Sequence, residues 1–307
     1  MHPAYSIIVF TTLSGLGYGL AAVLGLGLLD PAAFATKLAY LLALALIGAG
    51  LLSSTLHLGN PQRAWRAFSQ WRSSWLSREG VLAVITFVPL SLSALAALVM
   101  NRHFSFLGLL GAILCVATVY CTSMIYASLR SVDAWHTPLT PLTYLLFSAS
   151  GGLILASVFA LAGGGNEVPI ILGAVAATLA AWIAKLAWWQ RLRTLEPRST
   201  PESATGLGII GKVRLFERPH SNENYLTREM GYQVARKHAA RLFGISAVLG
   251  GALPLLLLAI LAGAGLSGAV AVLLAALAAA LHLVGMLVER WLFFAEAKHT
   301  ASVYYGR

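Results

Sequence analysis

Long apolar stretches alternate with short polar segments along almost the whole 307-residue chain. Each stretch holds about 20 residues with very few charges, which is the length that an α-helix needs to cross a hydrocarbon core of about 30 Å. Eight stretches are predicted, at approximately residues 7–28, 36–57, 81–100, 105–128, 142–163, 168–189, 243–263 and 267–288. Because lipid offers no partner for backbone N–H and C=O groups, each stretch is expected to be helical. The pattern predicts an all-α integral membrane protein, a bundle of eight transmembrane helices that forms a single membrane domain over residues 1–307.

Composition and charge agree with this prediction and add an orientation. The chain is 58% hydrophobic and only 10% charged, which excludes a soluble domain of this size. The formal net charge is +10, and the side of the membrane opposite the termini carries only Lys37 and Arg102. By the positive-inside rule, both termini are predicted to be cytoplasmic, in the cytoplasmic (inner) membrane of a bacterium. The same rule accounts for the basic excess, so we expect contact with lipid headgroups and no nucleic-acid partner. Lys185, near the end of the sixth span, is expected to snorkel to the basic side.

The long connections all lie on the basic side, at residues 58–80, 129–141 and 190–242. The cytoplasmic loop 190–242 ends in a stretch, 227–242, that predicts an amphipathic helix running into the seventh span. One interpretation is a helix held on the membrane surface by anionic lipid. The other is a docking surface for a soluble subunit, with Arg228, Arg236 and Lys237 as contact residues.

Few residues within the spans suggest chemistry. The spacing Gly15-x-x-x-Gly19 predicts close helix packing in lipid. Cys115 and Cys121 lie on one apolar helix and are interpreted as packing residues, since their spacing fits neither a disulfide framework nor a metal site. A single haem held by His57 and His282 is conceivable, but a hydrogen bond between helices is the favoured interpretation of His282. No haem and no metal site are therefore expected in this chain.

The candidate chemistry lies at the basic rim between the second and third spans. His57 opens the segment His57-Leu-Gly-Asn-Pro-Gln-Arg-Ala-Trp65, and Glu79 follows where the chain re-enters the membrane. A carboxylate there needs a partner or a proton, and an imidazole titrates near neutrality, so the two side chains form a candidate pair for proton exchange. Quinol oxidation requires such a pair beside an apolar cleft. The alternative is an interfacial anchor, in which aromatic side chains form a belt and arginines bind headgroups. Its residues are Trp65, Trp71, Trp75, Arg63, Arg66, Arg72 and Arg78.

Several short motifs carry a resemblance to a known family. The segment 57–65, followed by Leu76-Ser-Arg-Glu79, resembles the membrane anchor subunits of the dimethyl sulfoxide reductase type, in which His-Leu-Gly-x-Pro-x-Arg-Ala precedes Leu-Ser-x-Glu. Tyr126-x-x-x-Arg130 and the segment 135–141, Trp-His-Thr-Pro-Leu-Thr-Pro, are similar to the family's segment after the fourth span. Eight spans also fit, so the resemblance covers the whole chain, although only these motifs are specific.

The resemblance implies a cofactor-free membrane anchor in a respiratory chain. Such a subunit passes electrons between the quinone pool, menaquinone or ubiquinone, and the iron–sulfur subunit of a molybdopterin oxidoreductase, whose clusters and molybdopterin lie in the partner subunits. The family's functional histidine and glutamate correspond to His57 and Glu79, and we extend the quinone site to Arg63 and Arg66. The chain is then a quinone-reactive subunit and not a complete enzyme alone. The cytoplasmic rim and the long basic loop are similar to the branch that serves cytoplasm-facing sulfite dehydrogenases, in which quinone would be reduced.

Two alternatives stay open at this point. A purely structural anchor would keep all of the topology and make His57 and Glu79 dispensable. A secondary transporter would need polar residues near the bilayer midplane, often in paired halves. The spans offer almost no midplane charge and no visible similarity between the first four and the last four, so transport is the disfavoured alternative.

Overall fold

A computed structural model describes residues 4–56, 58–163, 167–196, 199–217 and 234–305, without the side chains of 234–237 and 304–305. Within these ranges there is no β-strand, and eight helical segments are long and apolar enough to cross a membrane. In chain order the helices are α1 (Tyr5–Gly25), α2 (Phe34–Thr55), α3 (Trp75–Met100), α4 (Ser105–Ala127), α5 (Leu139–Gly163), α6 (Glu167–Thr194), the short α7 (Pro201–Thr205), α8 (Val234–Ala247), α9 (Leu253–Gly263) and α10 (Gly268–Ala295). One π-helical turn, Val248–Ala252, joins α8 to α9, and the two helices form the seventh span together. The predicted all-α membrane bundle is confirmed.

Several of the spans extend further toward the basic side than their hydropathy predicts. Helix α3 begins at Trp75, six residues before the predicted start, because the Ser74 hydroxyl accepts a hydrogen bond from the Ser77 amide (3.4 Å) and caps the helix. Helices α6 and α10 continue to Thr194 and Ala295, beyond the predicted ends at 189 and 288. The added turns carry charged residues that lower the hydropathy without breaking the helix. Residues that the sequence placed at the rim therefore lie on helices.

Helix α1 is the most buried span and packs against α2, α4, α5 and α10. Its closest approach is to α5, where a Cβ on Gly19 would overlap the Ser148 carbonyl and Gly152 faces Gly19 directly. Without side chains the two backbones come into contact, which is how helices associate in lipid. A Cβ on Gly15 would meet no heavy atom within 4 Å. The predicted close packing is thus confirmed for Gly19, whereas Gly15 contacts α5 through its carbonyl, which accepts from the Ser148 hydroxyl (2.7 Å), and leaves open space where a Cβ would lie.

Side chain to backbone hydrogen bonds tie neighbouring helix ends together at one end of the bundle. The Ser53 hydroxyl near the end of α2 donates to the Ser6 carbonyl of α1 (2.9 Å). The Trp135 indole N–H, in the connection before α5, donates to the Phe293 carbonyl near the end of α10 (3.0 Å). These contacts are possible only if successive helices run in opposite directions, as the short loops predict. We call this the basic end, and it is marked by the helix termini at Tyr5, Thr55, Trp75, Ala127, Leu139, Thr194 and Ala295.

Candidate functional site

Glu79 lies in the second turn of α3, about 6 Å along the helix axis from its basic-end terminus. Its side chain is 5% exposed, and its Oε1 accepts a hydrogen bond from the Thr122 hydroxyl of α4 (2.9 Å). No lysine or arginine of the described chain lies within ion-pair distance of this carboxyl group. A buried carboxyl group with a neutral partner is suited to binding and releasing a proton, because neither form is locked by a fixed opposite charge.

His57 lies outside the described residues, so its predicted pairing with Glu79 stays a prediction. The described neighbours Leu56 and Leu58 follow the last residue of α2, Thr55, at the basic end. Because α3 also begins at this end, the chain leaves and re-enters the bundle on the same side, as the sequence indicated.

Arg63 and Arg66 lie on a 3-10 helix, Pro61–Gln70, which crosses the basic end between α2 and α3. Both side chains are exposed, and the Arg66 guanidinium lies over the Trp65 ring at 5.6 Å. No described hydrogen bond or ion pair connects either arginine to Glu79. The structure therefore places them on the same surface as Glu79 without bringing them into contact with it.

Side-chain hydrogen bonds hold the connection between α2 and α3, which we call the strap, against the start of α3. The Ser77 hydroxyl donates to the Ala67 carbonyl. The Arg78 guanidinium donates to the carbonyls of Trp71 (3.0 Å) and Arg72 (2.7 Å). Since Ser77 and Arg78 directly precede Glu79, any movement of this strap acts on the turn of helix that carries the carboxyl group.

The predicted aromatic belt is divided between two environments. Trp65 and Trp71 are 64% and 53% exposed, as expected of side chains at a membrane interface. Trp75 is half-buried, packs edge-on against Tyr120 of α4 (5.9 Å between ring centroids) and lies under the Arg78 guanidinium (4.3 Å). The interfacial interpretation therefore fits the first two tryptophans, whereas the third packs between α3 and α4.

A second polar cluster lies inside the bundle, and the expectation from the sequence was wrong for it. Lys185 of α6 was expected to snorkel, but its side chain is 2% exposed and its Nζ lies 2.6 Å from Glu289 Oε1 of α10. Arg290 Nη1 lies 3.5 Å from Glu289 Oε2. The ring of Trp188 lies 3.8 Å from Lys185 Nζ, and that of Tyr144 3.7 Å from Arg290 Cζ. Burial of opposite charges on two facing helices leaves both without access to the headgroups. The sequence did contain a signal for this ion pair, since a lysine within one span needs a carboxylate from another span when both lie in lipid.

A small cavity of about 20 Å³ lies between α1, α4, α5 and α10. Its polar lining includes Thr12, Thr122, Tyr144 and Arg290. Thr122 is the partner of Glu79, and Arg290 belongs to the cluster with Lys185 and Glu289, so the two polar regions meet at this cavity. Thr122 could not be recognised from the sequence, because an isolated threonine in an apolar span belongs to no motif.

His282 and the two cysteines have structural environments. The His282 Nδ1 donates to the Gly250 carbonyl (2.7 Å), which also accepts from the Trp182 indole (3.1 Å). The regular helix donor to this carbonyl would be the amide four residues on, but that residue is Pro254, which has no N–H. The interpretation of His282 as a link between helices is confirmed. Cys115 and Cys121 are buried free thiols on α4, as expected of packing residues.

The predicted docking residues fall mostly outside the described part. Arg228 lies outside the described residues, as does the first half of the stretch 227–242. Arg236 and Lys237 are residues of α8, but only their main chain is described. A helix is present from Val234 onward, which agrees with the predicted amphipathic helix over that part of its length.

Comparison with known proteins gives one family match over most of the chain. A family model described as "DMSO reductase anchor subunit (DmsC)" matches residues 1–296. The C subunit of sulfite dehydrogenase from Allochromatium vinosum is 34% identical over 333 aligned positions, which cover 99% of both proteins. The C component of anaerobic dimethyl sulfoxide reductase from Haemophilus influenzae is 30% identical over 117 positions, 37% of this protein and 41% of that one. No solved structure matches the chain.

Proposed function

The chain belongs to the family of DMSO reductase anchor subunits, and on that basis we propose that it exchanges electrons between a membrane quinone pool and an iron–sulfur partner. Family membership makes the chain a multi-pass membrane anchor of an oxidoreductase complex with catalytic and electron-transfer subunits. The observation that carries the quinone assignment is Glu79, a carboxyl group buried at one end of the bundle with a neutral hydrogen-bond partner. Quinone chemistry couples electrons to protons, so it needs such a group at the ring.

The direction of electron flow that we propose is toward quinone. The full-length similarity to a sulfite dehydrogenase subunit supports a molybdopterin partner that oxidises sulfite, whereas the dimethyl sulfoxide reductase relative matches only about a third of the chain. Two electrons from the iron–sulfur subunit and two protons then convert quinone to quinol. Quinol oxidation by the same residues is the second candidate, and the shared motif at His57 and Glu79 fits both directions.

The quinone ring is proposed to bind at the surface of the basic end. A cavity of about 20 Å³ has room for about one water molecule, so the ring cannot enter it. At the rim, Leu52 and Leu56 of the second span are 70% and 79% exposed and offer apolar surface for an isoprenoid tail. Glu79 and His57 would hydrogen-bond the ring oxygens and exchange protons with them. Arg63 and Arg66 would border the site, on the strap that holds the start of α3.

Orientation and partner docking follow from charge. We propose that the basic end faces the cytoplasm of a bacterial cell, with the iron–sulfur subunit above it and the molybdopterin subunit beyond. The docking surface would include Arg228, Arg236 and Lys237 at the start of the seventh span. This arrangement puts the quinone rim on the side where the electrons arrive.

The proposed complex is tested by gentle detergent purification through a C-terminal tag, followed by metal analysis and a sulfite-dependent quinone reduction assay. The proposal expects iron and molybdenum in stoichiometric amounts with this chain, and quinone reduction that depends on sulfite. Recovery of the chain alone and metal-free, from cells grown under several respiratory regimes, would contradict it and would favour transport. A complex that reduces S-oxides with quinol would support the second candidate direction.

A further inference from the structure

The Thr122 hydroxyl lies within hydrogen-bond distance of two acceptors. Its Oγ1 lies 2.9 Å from Glu79 Oε1 and 3.1 Å from the Thr118 carbonyl of its own helix. A hydroxyl carries one hydrogen, so it donates fully to only one of these acceptors at a time. Thr122 is 5% exposed, as is Glu79, so bulk water does not take the place of either bond.

The two acceptors match the two protonation states of Glu79. An ionised carboxylate only accepts hydrogen bonds, so the Thr122 hydroxyl donates to it. A protonated carboxyl group has an O–H of its own, which can donate to Thr122 Oγ1 while the Thr122 hydrogen turns to the Thr118 carbonyl. Rotation of one hydroxyl therefore satisfies both forms of a buried acid. A group that binds and releases a proton in each turnover requires a partner of this kind, because an unsatisfied buried polar group is costly.

The cavity beside Thr122 supplies room and partners for a water molecule. A volume of about 20 Å³ exceeds the roughly 10–15 Å³ that one water needs. Among the described residues that line it, Thr12 and Tyr144 each have a buried hydroxyl that makes no hydrogen bond. A water bonded to these two hydroxyls and to that of Thr122, which lines the same cavity, would have the number of partners that an ordered water needs.

We propose that Thr122 is a positioning residue for Glu79, a hydroxyl switch that serves both protonation states, and that one ordered water in the adjoining cavity completes it. This inference rests on the proposed quinone chemistry at Glu79. The O–H bond of Glu79 is the bond that forms and breaks in this step, with its proton passing between the carboxyl group and the quinone site while the electrons pass through the iron–sulfur partner. Thr122 and the water keep their own hydrogens and only reorient.

The first test compares variants of Thr122 in the intact complex. Thr122→Val removes the hydroxyl, Thr122→Ser keeps it, and Thr178→Val is the matched control, because that buried hydroxyl bonds Ser150 and the Ala174 carbonyl, between α5 and α6. Loss of a hydrogen bond to a charged group predicts that quinone-linked turnover falls about ten- to a hundredfold in Thr122→Val. Thr122→Ser should restore most of that loss, and Thr178→Val should stay near wild type. Turnover by the catalytic subunits with an artificial dye should be unchanged in all three.

The second test displaces the water. Gly15 lines the cavity, and a Cβ there meets no heavy atom within 4 Å, so Gly15→Ala adds a methyl group in open space. Gly48→Ala in α2 is the matched control, since its Cβ also meets nothing within 4 Å and Gly48 does not line the cavity. Loss of one neutral hydrogen bond predicts an about two- to tenfold fall in quinone-linked turnover for Gly15→Ala alone. Both variants should keep or raise thermal stability, because alanine favours a helix over glycine.

Glu79→Gln separates failure of this inference from failure of the proposed function. If Glu79→Gln turns over quinone normally, the proposed site is wrong. If Glu79→Gln is inactive while Thr122→Val matches wild type, the site stands and the switch is overturned. If Thr122→Ser is as slow as Thr122→Val, the role of Thr122 is packing, which also overturns the switch. Equal quinone-linked turnover in Gly15→Ala and Gly48→Ala would overturn the proposed role of the water.

Discussion

The buried cluster of Lys185, Glu289 and Arg290 predicts unequal effects for substitutions that look similar. Glu289 lies 2.6 Å from one cation and 3.5 Å from the other, and all three side chains are at most 4% exposed. Glu289→Gln leaves two buried cations without the carboxylate that contacts both of them. Lys185→Met leaves the carboxylate paired with Arg290, so the remaining charges still balance. The first variant should therefore lose far more stability than the second.

The magnitudes follow from the number of uncompensated charges. Removal of one partner from a buried ion pair costs about 3–5 kcal/mol, because a buried charge is left alone. Glu289→Gln leaves two cations in that state and should reach at least the upper part of that range. Lys185→Met loses the stacking of its ammonium on Trp188, a contribution of about 0.5–2 kcal/mol, and no charge is stranded.

The buried thiols of Cys115 and Cys121 provide the assay. Both react with a fluorogenic thiol reagent only after the bundle opens, so the midpoint of reaction on heating reports unfolding in detergent. The expected order of midpoints is wild type, then Lys185→Met slightly lower, then Glu289→Gln much lower. A Lys185→Met midpoint at or below that of Glu289→Gln would show that charge balance in this cluster does not control stability.

Two further predictions follow from local geometry. Gly19→Ala should destabilise the bundle by about 1–3 kcal/mol or more, because its Cβ would overlap the α5 backbone, whereas Gly15→Ala should not; similar thermal midpoints for the two would refute the packing argument. The pKa of Glu202 is lowered by hydrogen bonds that its carboxylate accepts from the Glu202 amide and from the Val213 amide (3.1 Å). The ionised carboxylate therefore stabilises this loop above the pKa that Glu202 has in the unfolded chain, and the stabilisation is lost as the pH falls through the lowered pKa. The protection factor of the Val213 amide, which compares its exchange with that of the unstructured chain at the same pH, should be high at neutral pH, lower in acid, and low at every pH in Glu202→Ala; high protection in that variant would contradict the bond.

The sequence predicts the fold well because lipid restricts the backbone so strongly. Eight apolar stretches of sufficient length can only be helices, and the Lys and Arg distribution orders their ends. Helix termini were less predictable, since the cap at Ser74 and the charged interfacial turns extend α3 and α6 into segments whose hydropathy is too low to mark a span. The close packing at Gly19 was predictable from spacing, but the open space at Gly15 was not, because it depends on how α1 is rotated against its neighbours.

The candidate site was predictable only in part, for a different reason. The position of Glu79 at the start of a span follows from the sequence, but its partner Thr122 lies 43 residues away on another helix. Which hydroxyl meets a carboxyl group depends on helix rotation, which hydropathy does not encode. The ion pair of Lys185 and Glu289 has the same origin, and snorkelling was the wrong expectation because it treats each span as if it stood alone in lipid.

Quinone-linked turnover of the purified complex, with Glu79→Gln and His57→Gln as variants, tests the central claim most directly. Glu167→Gln is the matched control, because that carboxylate is exposed at the start of α6, at the other end of the bundle. We predict that both rim variants assemble with their partner subunits, keep dye-linked activity and lose at least about a hundredfold of quinone-linked turnover, as expected for loss of general acid–base groups. Glu167→Gln should behave as wild type. Normal quinone-linked turnover in both rim variants would contradict the assignment and leave the chain as a structural anchor.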